Sequence, residues 1–164
     1  MRKPIVGVMG PGEGAIEADR SRAKQLGRSI AERGWIVLTG GRNTGVMDAA
    51  SRGAKEAGGL TIGMLPSADD RNLSEAVDIA IFTDLGNARN NVNILSSDVV
   101  VACGMGLGTA SEVALALKTG KPVVLLGVNS ATVAFFQQFA SRFVVVETAN
   151  EAIDAIESFL RPSV

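Results

Sequence analysis

The chain has 164 residues, of which 46% are apolar, and its 16 basic and 17 acidic side chains leave a net charge of −1. It contains no histidine, which excludes Ser-His-Asp and Cys-His catalysis and histidine-ligated zinc. The near-neutral charge provides no basic face for a nucleic acid or an anionic membrane. The length predicts one domain that spans residues 1–164.

The single cysteine, Cys103, cannot form an intrachain disulfide, which is compatible with a reducing compartment. The apolar stretch near the N-terminus ends at Gly10 and is too short for an export signal. No apolar run reaches the roughly 18 residues that a membrane-spanning helix needs. We therefore expect a soluble, cytoplasmic protein without a membrane partner.

Short apolar runs alternate with amphipathic stretches along the whole chain. The apolar runs predict strands over residues 5–9, 35–39, 60–65, 79–82, 99–102, 122–126 and 143–146. Helical periodicity predicts helices over residues 15–33, 46–57, 88–97, 110–119, 132–140 and 151–160. Strands that are apolar on consecutive residues are buried on both faces, and their alternation with helices indicates parallel βαβ units. The predicted fold is therefore a Rossmann-like α/β domain, a doubly wound parallel sheet of about seven strands flanked by helices.

Three glycine-rich loops follow predicted strands, over residues 10–14, 40–45 and 104–109. In doubly wound sheets, ligands bind beyond the carboxyl ends of the strands, where such loops meet. Glycine lets the main chain approach a ligand, and the helix that follows supplies free N–H donors and the positive end of its dipole. For a single loop a tight turn is the better explanation, but three together, with arginines beside them, favour binding of an anion such as a phosphate.

The dinucleotide and P-loop interpretations fit the same loops poorly. The first loop has its glycines at residues 10, 12 and 14, and the second strand ends at Thr39 without the acidic residue that holds a ribose. The only Gly-Lys pair, Gly120-Lys121, is followed by a proline. Binding of NAD and hydrolysis of ATP are therefore disfavoured.

Two charged residues lie close to these loops. Arg89 opens a predicted helix, and a guanidinium there can bind a phosphate through a bidentate pair of hydrogen bonds. An ion pair with a nearby carboxylate explains the presence of an arginine at this position equally well. Glu112 completes a Thr-x-x-Glu pattern with Thr109, which is typical of a capping box at the start of a helix. The alternative is that Glu112 points into the same cleft as Arg89 and acts as a base.

Cys103 and the phenylalanines near the C-terminus have a structural interpretation. A lone cysteine after a buried strand is expected to be a small core residue. Phe135, Phe136 and Phe139 are expected to pack the penultimate helix.

The glycine loops, in their order, resemble the lysine-decarboxylase-like Rossmann fold of the Lonely Guy type phosphoribohydrolases. The resemblance rests on residues 40–47, on Arg89 and on the Gly-x-Gly-Thr-x-x-Glu pattern of residues 106–112. Where those enzymes carry Pro-Gly-Gly, this chain has Gly-Met-Gly at residues 104–106. Where they carry Met-His-x-Arg-Lys, it has Gly-Asn-Ala-Arg-Asn at residues 86–90. The resemblance implies, as an alternative function, cleavage of the N-glycosidic bond of a nucleoside 5′-monophosphate by Arg89 and Glu112.

A closer resemblance, to the molybdenum cofactor carrier proteins, covers nearly the whole chain. It runs through residues 7–12, 34–36, 38–42, 45–47, 53–59, 85–89, 104–110 and 121–127. It implies a homo-oligomer, a dimer or a tetramer, that binds molybdenum cofactor as cargo and exchanges it with molybdoenzymes or cofactor biosynthesis proteins. No chemical conversion and no protein ligand to the metal are implied.

The predicted cofactor-binding residues combine the glycine loops with the polar groups beside them. They are Gly10, Pro11, Gly12, Gly40, Gly41, Arg42, Asn87, Arg89, Gly106, Leu107, Gly108, Thr109 and Glu112. The late glycine loop with Thr109 is expected to take the phosphate of the pterin. Arg42 and Arg89, with main-chain N–H groups of residues 10–12 and 40–42, are expected to take the metal-bearing anionic end.

Overall fold

The computed structural model describes residues 2–161, which form one seven-stranded sheet flanked by helices. The strands are β1 Ile5–Met9, β2 Ile36–Thr39, β3 Thr61–Leu65, β4 Ile79–Phe82, β5 Val99–Cys103, β6 Val123–Leu126 and β7 Phe143–Val146. The helices are α1 Glu17–Glu32, α2 Gly45–Glu56, α3 Arg89–Ser96, α4 Leu107–Lys118, α5 Ser130–Gln137 and α6 Ala149–Leu160. A 3₁₀ turn, Gly86–Ala88, leads into α3. No helix within residues 2–161 has the length and apolar character needed to cross a bilayer.

The strand order is β4-β3-β2-β1-β5-β6-β7, and every neighbouring pair is parallel. The chain therefore builds outward from β1 to β4 and then returns to the other side of β1 with β5. Strand order reverses between β1 and β5, so the loops after these two strands diverge and leave a crevice at the carboxyl edge. This arrangement confirms the predicted doubly wound parallel sheet.

Two apolar layers cover the two faces of the sheet. On one face α1, α2 and α6 bury side chains such as Leu26, Ala50 and Ile153 against β1, β5 and β6. On the other face α3, α4 and α5 bury residues that include Ile94 and Val113. The central strand β5 is buried along its whole length, as its continuous run of small apolar residues predicts.

The two edge strands depart from the prediction of burial on both faces. In β4 the side chains of Ile79, Ile81 and Phe82 are exposed, and in β7 those of Val144 and Val145 are exposed. An edge strand has a neighbour on one side alone, so apolar runs that look alike in sequence differ in burial by their position in the sheet. In α5 Phe136 is buried as expected, but Phe135 of the same helix and Phe139, two residues beyond its end, are exposed, which corrects the prediction for these two.

The helix that follows β5 begins earlier than its sequence suggests. The expected start was residue 110, with Thr109 and Glu112 as a capping box, but α4 begins at Leu107 and its N-cap is Gly106, without a side-chain cap. Thr109 and Glu112 therefore lie inside the helix, and the capping-box interpretation of this pair was wrong. A capping box does form at α6, where Thr148 and Glu151 bond each other's main-chain N–H groups.

Candidate functional site

A cavity of about 300 Å³ lies at the carboxyl edge of the sheet, at the crevice between the loops that follow β1 and β5. Its walls come from the loops after β1, β2 and β5, from the start of α3 and from the first turns of α4. It is lined by Val8, Met9, Gly10, Pro11, Gly12, Gly14, Gly40, Arg42, Met47, Arg89, Asn90, Gly106, Leu107, Gly108, Thr109 and Glu112. Eleven of the thirteen residues predicted from the sequence are in this set.

Gly41 and Asn87 are the two predicted residues that do not line the cavity. Gly41 has a φ of +76°, donates its N–H to Thr39 Oγ1 at 3.0 Å and accepts the N–H of Ser74 at 2.9 Å. Its glycine character is therefore explained by the turn after β2, because an L side chain rarely adopts that backbone conformation. Asn87 lies in the exposed 3₁₀ turn and borders a neighbouring groove that includes Asn90 and Leu107.

Arg89, at the first position of α3, ties together the ends of two strands. Its Nη1 donates to the carbonyls of Gly40 and Met64, each at 2.8 Å. A Cβ atom on Gly40 would collide with this guanidinium and with Met47 Sδ, so the observed position of Arg89 requires a glycine at residue 40. The Nε is buried and has no hydrogen-bond acceptor within residues 2–161, which leaves one strong donor unused.

The charge of Arg89 is not neutralised by a direct ion pair. Within residues 2–161, neither Arg89 nor Arg42 has a carboxylate within 4 Å, so the ion-pair explanation of Arg89 was wrong. Burial lowers the pKa of Arg89, the charge of Glu112 opposes that effect, and the like charge of Arg42 lowers the pKa further. Two guanidinium groups that repel each other beside one cavity favour an anionic ligand.

Arg42 is positioned by a loop-to-loop contact that joins it to residues 72–74. It forms an isolated antiparallel bridge with Leu73, and the Asn43 N–H donates to the carbonyl of Asn72 at 2.7 Å. These main-chain bonds fix the loop after β2 while the Arg42 side chain remains half-buried at the cavity wall.

The first turn of α4 presents main-chain donors to the same cavity. The N–H groups of Leu107, Gly108 and Thr109 have no partner within the helix, because the first turn of any helix lacks acceptors. These N–H groups and the positive end of the helix dipole favour an anion. A Cβ on Gly108 would meet nothing within 4 Å, so its lack of a side chain is not required by packing inside the chain. It leaves room for a ligand at the main chain.

Glu112 lies one turn further along α4 and is 7% exposed. Its Oε1 accepts a hydrogen bond from Asn93 Nδ2 at 3.0 Å, and Asn93 is fully buried on α3. Burial raises the pKa of Glu112, while the bond from Asn93 and the charge of Arg89 act in the opposite direction. The carboxyl group is therefore a buried acceptor at the cavity wall.

Asn93 is not among the residues predicted from the sequence. It lies four residues after Arg89, so both are on one face of α3 and face α4. That spacing is visible in the sequence, and it could have identified Asn93 as a partner for a group beside Arg89. Asn90 was also missed. It lines the cavity and donates through Nδ2 to Ser111 Oγ at 2.9 Å.

Cys103 is a core residue, as predicted. Its thiol is buried, donates to the carbonyl of Asp19 at 3.3 Å, and has its pKa raised by burial to about 12. A thiolate ligand at this position is therefore unfavourable. Within residues 2–161, no group of three Cys, Asp or Glu side chains is close enough to hold a metal ion.

Comparison with known proteins identifies relatives of this chain. Residues 3–153 match the SLOG cluster4 family. The molybdenum cofactor binding protein from the phototrophic bacterium Rippkaea orientalis is 56% identical, with a TM-score of 0.96 over 98% of this chain and 99% of that one. The molybdenum cofactor carrier protein of Chlamydomonas reinhardtii is 54% identical, with a TM-score of 0.92 over 97% of this chain and 99% of that one.

A more distant relative is an enzyme. The cytokinin riboside 5′-monophosphate phosphoribohydrolase of Mycobacterium tuberculosis is 31% identical over 112 residues, which are 63% of this chain and 60% of that protein. The match over residues 3–153 and the identity to the two cofactor-binding proteins lead to one conclusion. The chain belongs to the SLOG cluster4 family and is a homologue of the molybdenum cofactor carrier proteins.

Proposed function

We propose that this chain is a cytoplasmic carrier that binds and protects molybdenum cofactor and delivers it, without chemical conversion, to molybdoenzymes or cofactor biosynthesis proteins. The observation that carries the proposal is the convergence of Arg42, Arg89 and the uncapped start of α4 on one cavity. The cofactor is a pterin with a terminal phosphate and an oxomolybdenum centre held by a dithiolene. Its phosphate and its oxomolybdenum group are both anionic, which suits two arginines and a helix N-terminus. Two homologues above 50% identity carry names that refer to this cofactor.

The two anionic groups of the cofactor are assigned by the kind of donor that each part of the cavity offers. The main-chain N–H groups of Leu107, Gly108 and Thr109, with the hydroxyl of Thr109, suit the three oxygens of a phosphate. Arg42 and Arg89, with the loops after β1 and β2, suit the larger anionic end that bears the metal.

Retention of the cofactor by the purified chain tests the proposal. Protein and cofactor are mixed without oxygen and separated by gel filtration, and the cofactor is detected in the protein fractions as its fluorescent oxidised pterin. We expect the pterin to elute with the protein. Elution of all the pterin in the small-molecule fractions would overturn the proposal.

The Gly108→Ala variant tests the proposed position of the phosphate, because its effects on cofactor binding and on stability are expected to have opposite signs. A methyl group at Gly108 meets nothing inside the chain, so we expect the free energy of unfolding to rise by about 0.5–1 kcal/mol through helix propensity. The same methyl occupies the space proposed for the phosphate, so cofactor affinity should fall about tenfold, which corresponds to about 1.4 kcal/mol. Ala114→Gly, at an exposed position of α4, is the matched control. It should lower stability and leave cofactor retention unchanged.

We further propose that the chain forms a homo-oligomer, a dimer or a tetramer. Leu107, which is 94% exposed, lines a groove with Phe135 of α5, and the ring of Phe135 packs against that of Phe139, which is 73% exposed just beyond this helix. Contiguous apolar surface of this kind is typical of interfaces between protein chains. Light scattering coupled to gel filtration should give two or four times the mass of one chain, and the mass of a single chain would contradict the proposal.

Hydrolysis of a nucleoside 5′-monophosphate is the second candidate function. It is favoured by one observation, that Arg89 and Glu112 line the same cavity, as the phosphoribohydrolase resemblance requires. The test is incubation with adenosine monophosphate and isopentenyladenosine monophosphate, followed by chromatography for the free base. Release of base that disappears in Glu112→Gln would establish the hydrolase, and absence of release would exclude it for these substrates.

A further inference from the structure

The buried pair Glu112 and Asn93 carries hydrogen-bonding capacity that the chain itself does not use. Glu112 accepts one hydrogen bond, from Asn93 to Oε1, and within residues 2–161 no donor reaches Oε2. Asn93 Oδ1 is also buried without a donor. Asn93 does not line the cavity, whereas Glu112 does and its Oε2 is not sealed off, so Oε2 is the acceptor that a ligand can reach. A free carboxylate oxygen in a cavity wall suits a ligand that brings N–H groups.

A negative carboxylate is a poor neighbour for a phosphate or an oxomolybdenum group. Glu112 nevertheless lines the cavity together with Arg89 and the first turn of α4. The anionic groups of a cargo are therefore accommodated away from this carboxylate, and an uncharged part that carries N–H donors faces it. In molybdenum cofactor that part is the amino-pyrimidine edge of the pterin, because the phosphate and the dithiolene-bound metal are both attached to the pyran ring at the other end of the molecule.

We infer that Glu112 recognises the amino-pyrimidine edge of the pterin, by accepting hydrogen bonds from its N3–H and its 2-amino group, and that Asn93 holds the carboxylate in position. The inference rests on the proposed carrier function and adds the group that distinguishes a pterin from other phosphorylated heterocycles. A carboxylate has two oxygens at the spacing of these two parallel N–H donors. Asn93 Nδ2 fixes Oε1 at 3.0 Å and is itself held in the buried layer between α3 and β1, where it also contacts Met9 Sδ at 3.9 Å.

Arg89 helps to keep this carboxylate charged. The charged group that acts on Glu112 is Arg89, from α3, and Arg42, from the loop after β2, lines the same cavity and acts on Arg89. Burial raises the pKa of Glu112, so acidification protonates it earlier than an exposed glutamate. A protonated carboxyl has lost one acceptor, so pterin binding should weaken as the pH falls through this raised pKa.

The test compares two ligands that differ at one substituent. 6-Hydroxymethylpterin phosphate carries the 2-amino group, and the corresponding lumazine phosphate carries a carbonyl oxygen in its place. We expect the wild-type chain to bind the pterin at least about 30-fold more tightly, because the lumazine sets an oxygen against a carboxylate oxygen. In Glu112→Gln this preference should fall to within about threefold, because the amide replaces one acceptor by a donor.

Two further measurements separate recognition from folding. Asn93→Ala should reduce the preference for the pterin over the lumazine. Inorganic phosphate should still compete with the pterin phosphate as it does in the wild-type chain, a result that a general loss of structure would not give. The ratio of wild-type to Glu112→Gln affinity for the pterin phosphate should fall with acidification, and titration of the ligand's phosphate cancels in that ratio.

The outcomes distinguish this inference from the carrier function itself. If the wild-type chain retains molybdenum cofactor but binds the pterin and lumazine phosphates equally, or binds neither, the role of Glu112 is wrong and the carrier function stands. If Glu112→Gln prefers the pterin over the lumazine as strongly as the wild-type chain does, the role of Glu112 is likewise wrong and the carrier function stands. If the wild-type chain retains no cofactor, the carrier function fails.

Discussion

Replacing Gly53 by alanine is expected to lower the free energy of unfolding by about 2 kcal/mol, or about 5 °C in melting temperature. Gly53 lies on α2 where this helix crosses α1, and a Cβ there would collide with the main-chain carbonyl of Lys24. The contact is reciprocal, because a Cβ on Gly27 of α1 would collide with the carbonyl of Ala50. Main-chain atoms of a helix cannot turn aside, so the two helices would have to separate.

The magnitude follows from two opposing effects. Alanine gains about 1 kcal/mol over glycine inside a helix, whereas overpacking a rigid contact costs up to about 3 kcal/mol. Denaturant unfolding measures the difference, and Gly108→Ala is the matched control, because it makes the same change in a helix at a position that faces open space. The two variants should change stability in opposite directions. If Gly53→Ala also stabilised the chain, the close crossing of α1 and α2 would be wrong.

The fold could be predicted from the sequence because its strongest patterns are local. The strands over residues 5–9, 79–82 and 143–146 begin and end where predicted, and each predicted helix boundary lies within three residues of the observed one. A parallel sheet buries its central strands on both faces, so they are apolar at consecutive positions, and glycine marks the turns between elements. Burial at the edges was predicted less well, since the exposure of Phe82 and Val144 depends on strand order, which no local pattern encodes.

The candidate site was predicted where it depends on loops and missed where it depends on contacts between helices. Glycine loops after β1, β2 and β5 meet at one edge in any sheet of this type, so their residues could be grouped from the sequence. The pattern at Thr109 and Glu112 was ambiguous, because Gly106 serves as the N-cap and shifts the helix start by three residues. The partner of Glu112 could not be identified, because Asn93 meets it through the packing of α3 on α4.

Replacing Arg89 by methionine is expected to weaken cofactor binding at least about 100-fold, which corresponds to about 3 kcal/mol. The guanidinium joins the ends of β2 and β3 through the carbonyls of Gly40 and Met64, and it brings a positive charge to the cavity wall. Methionine fills a similar volume but removes the charge and leaves both carbonyls without this donor. Arg89→Lys keeps the charge without the planar fork and should lose about tenfold.

Anaerobic ultrafiltration, with the bound cofactor measured as oxidised pterin, gives the dissociation constants. Arg28→Ala is the matched control, since it removes one positive charge from an exposed position of α1, where Arg28 pairs with Glu32. Its affinity should equal that of the wild-type chain, which separates the local role of Arg89 from net charge. Melting temperatures measured beside the binding show whether Arg89→Met is still folded. A folded Arg89→Met variant that binds the cofactor as tightly as Arg28→Ala would remove Arg89 from the site, and the anion would then have to be held by Arg42 and the start of α4 alone.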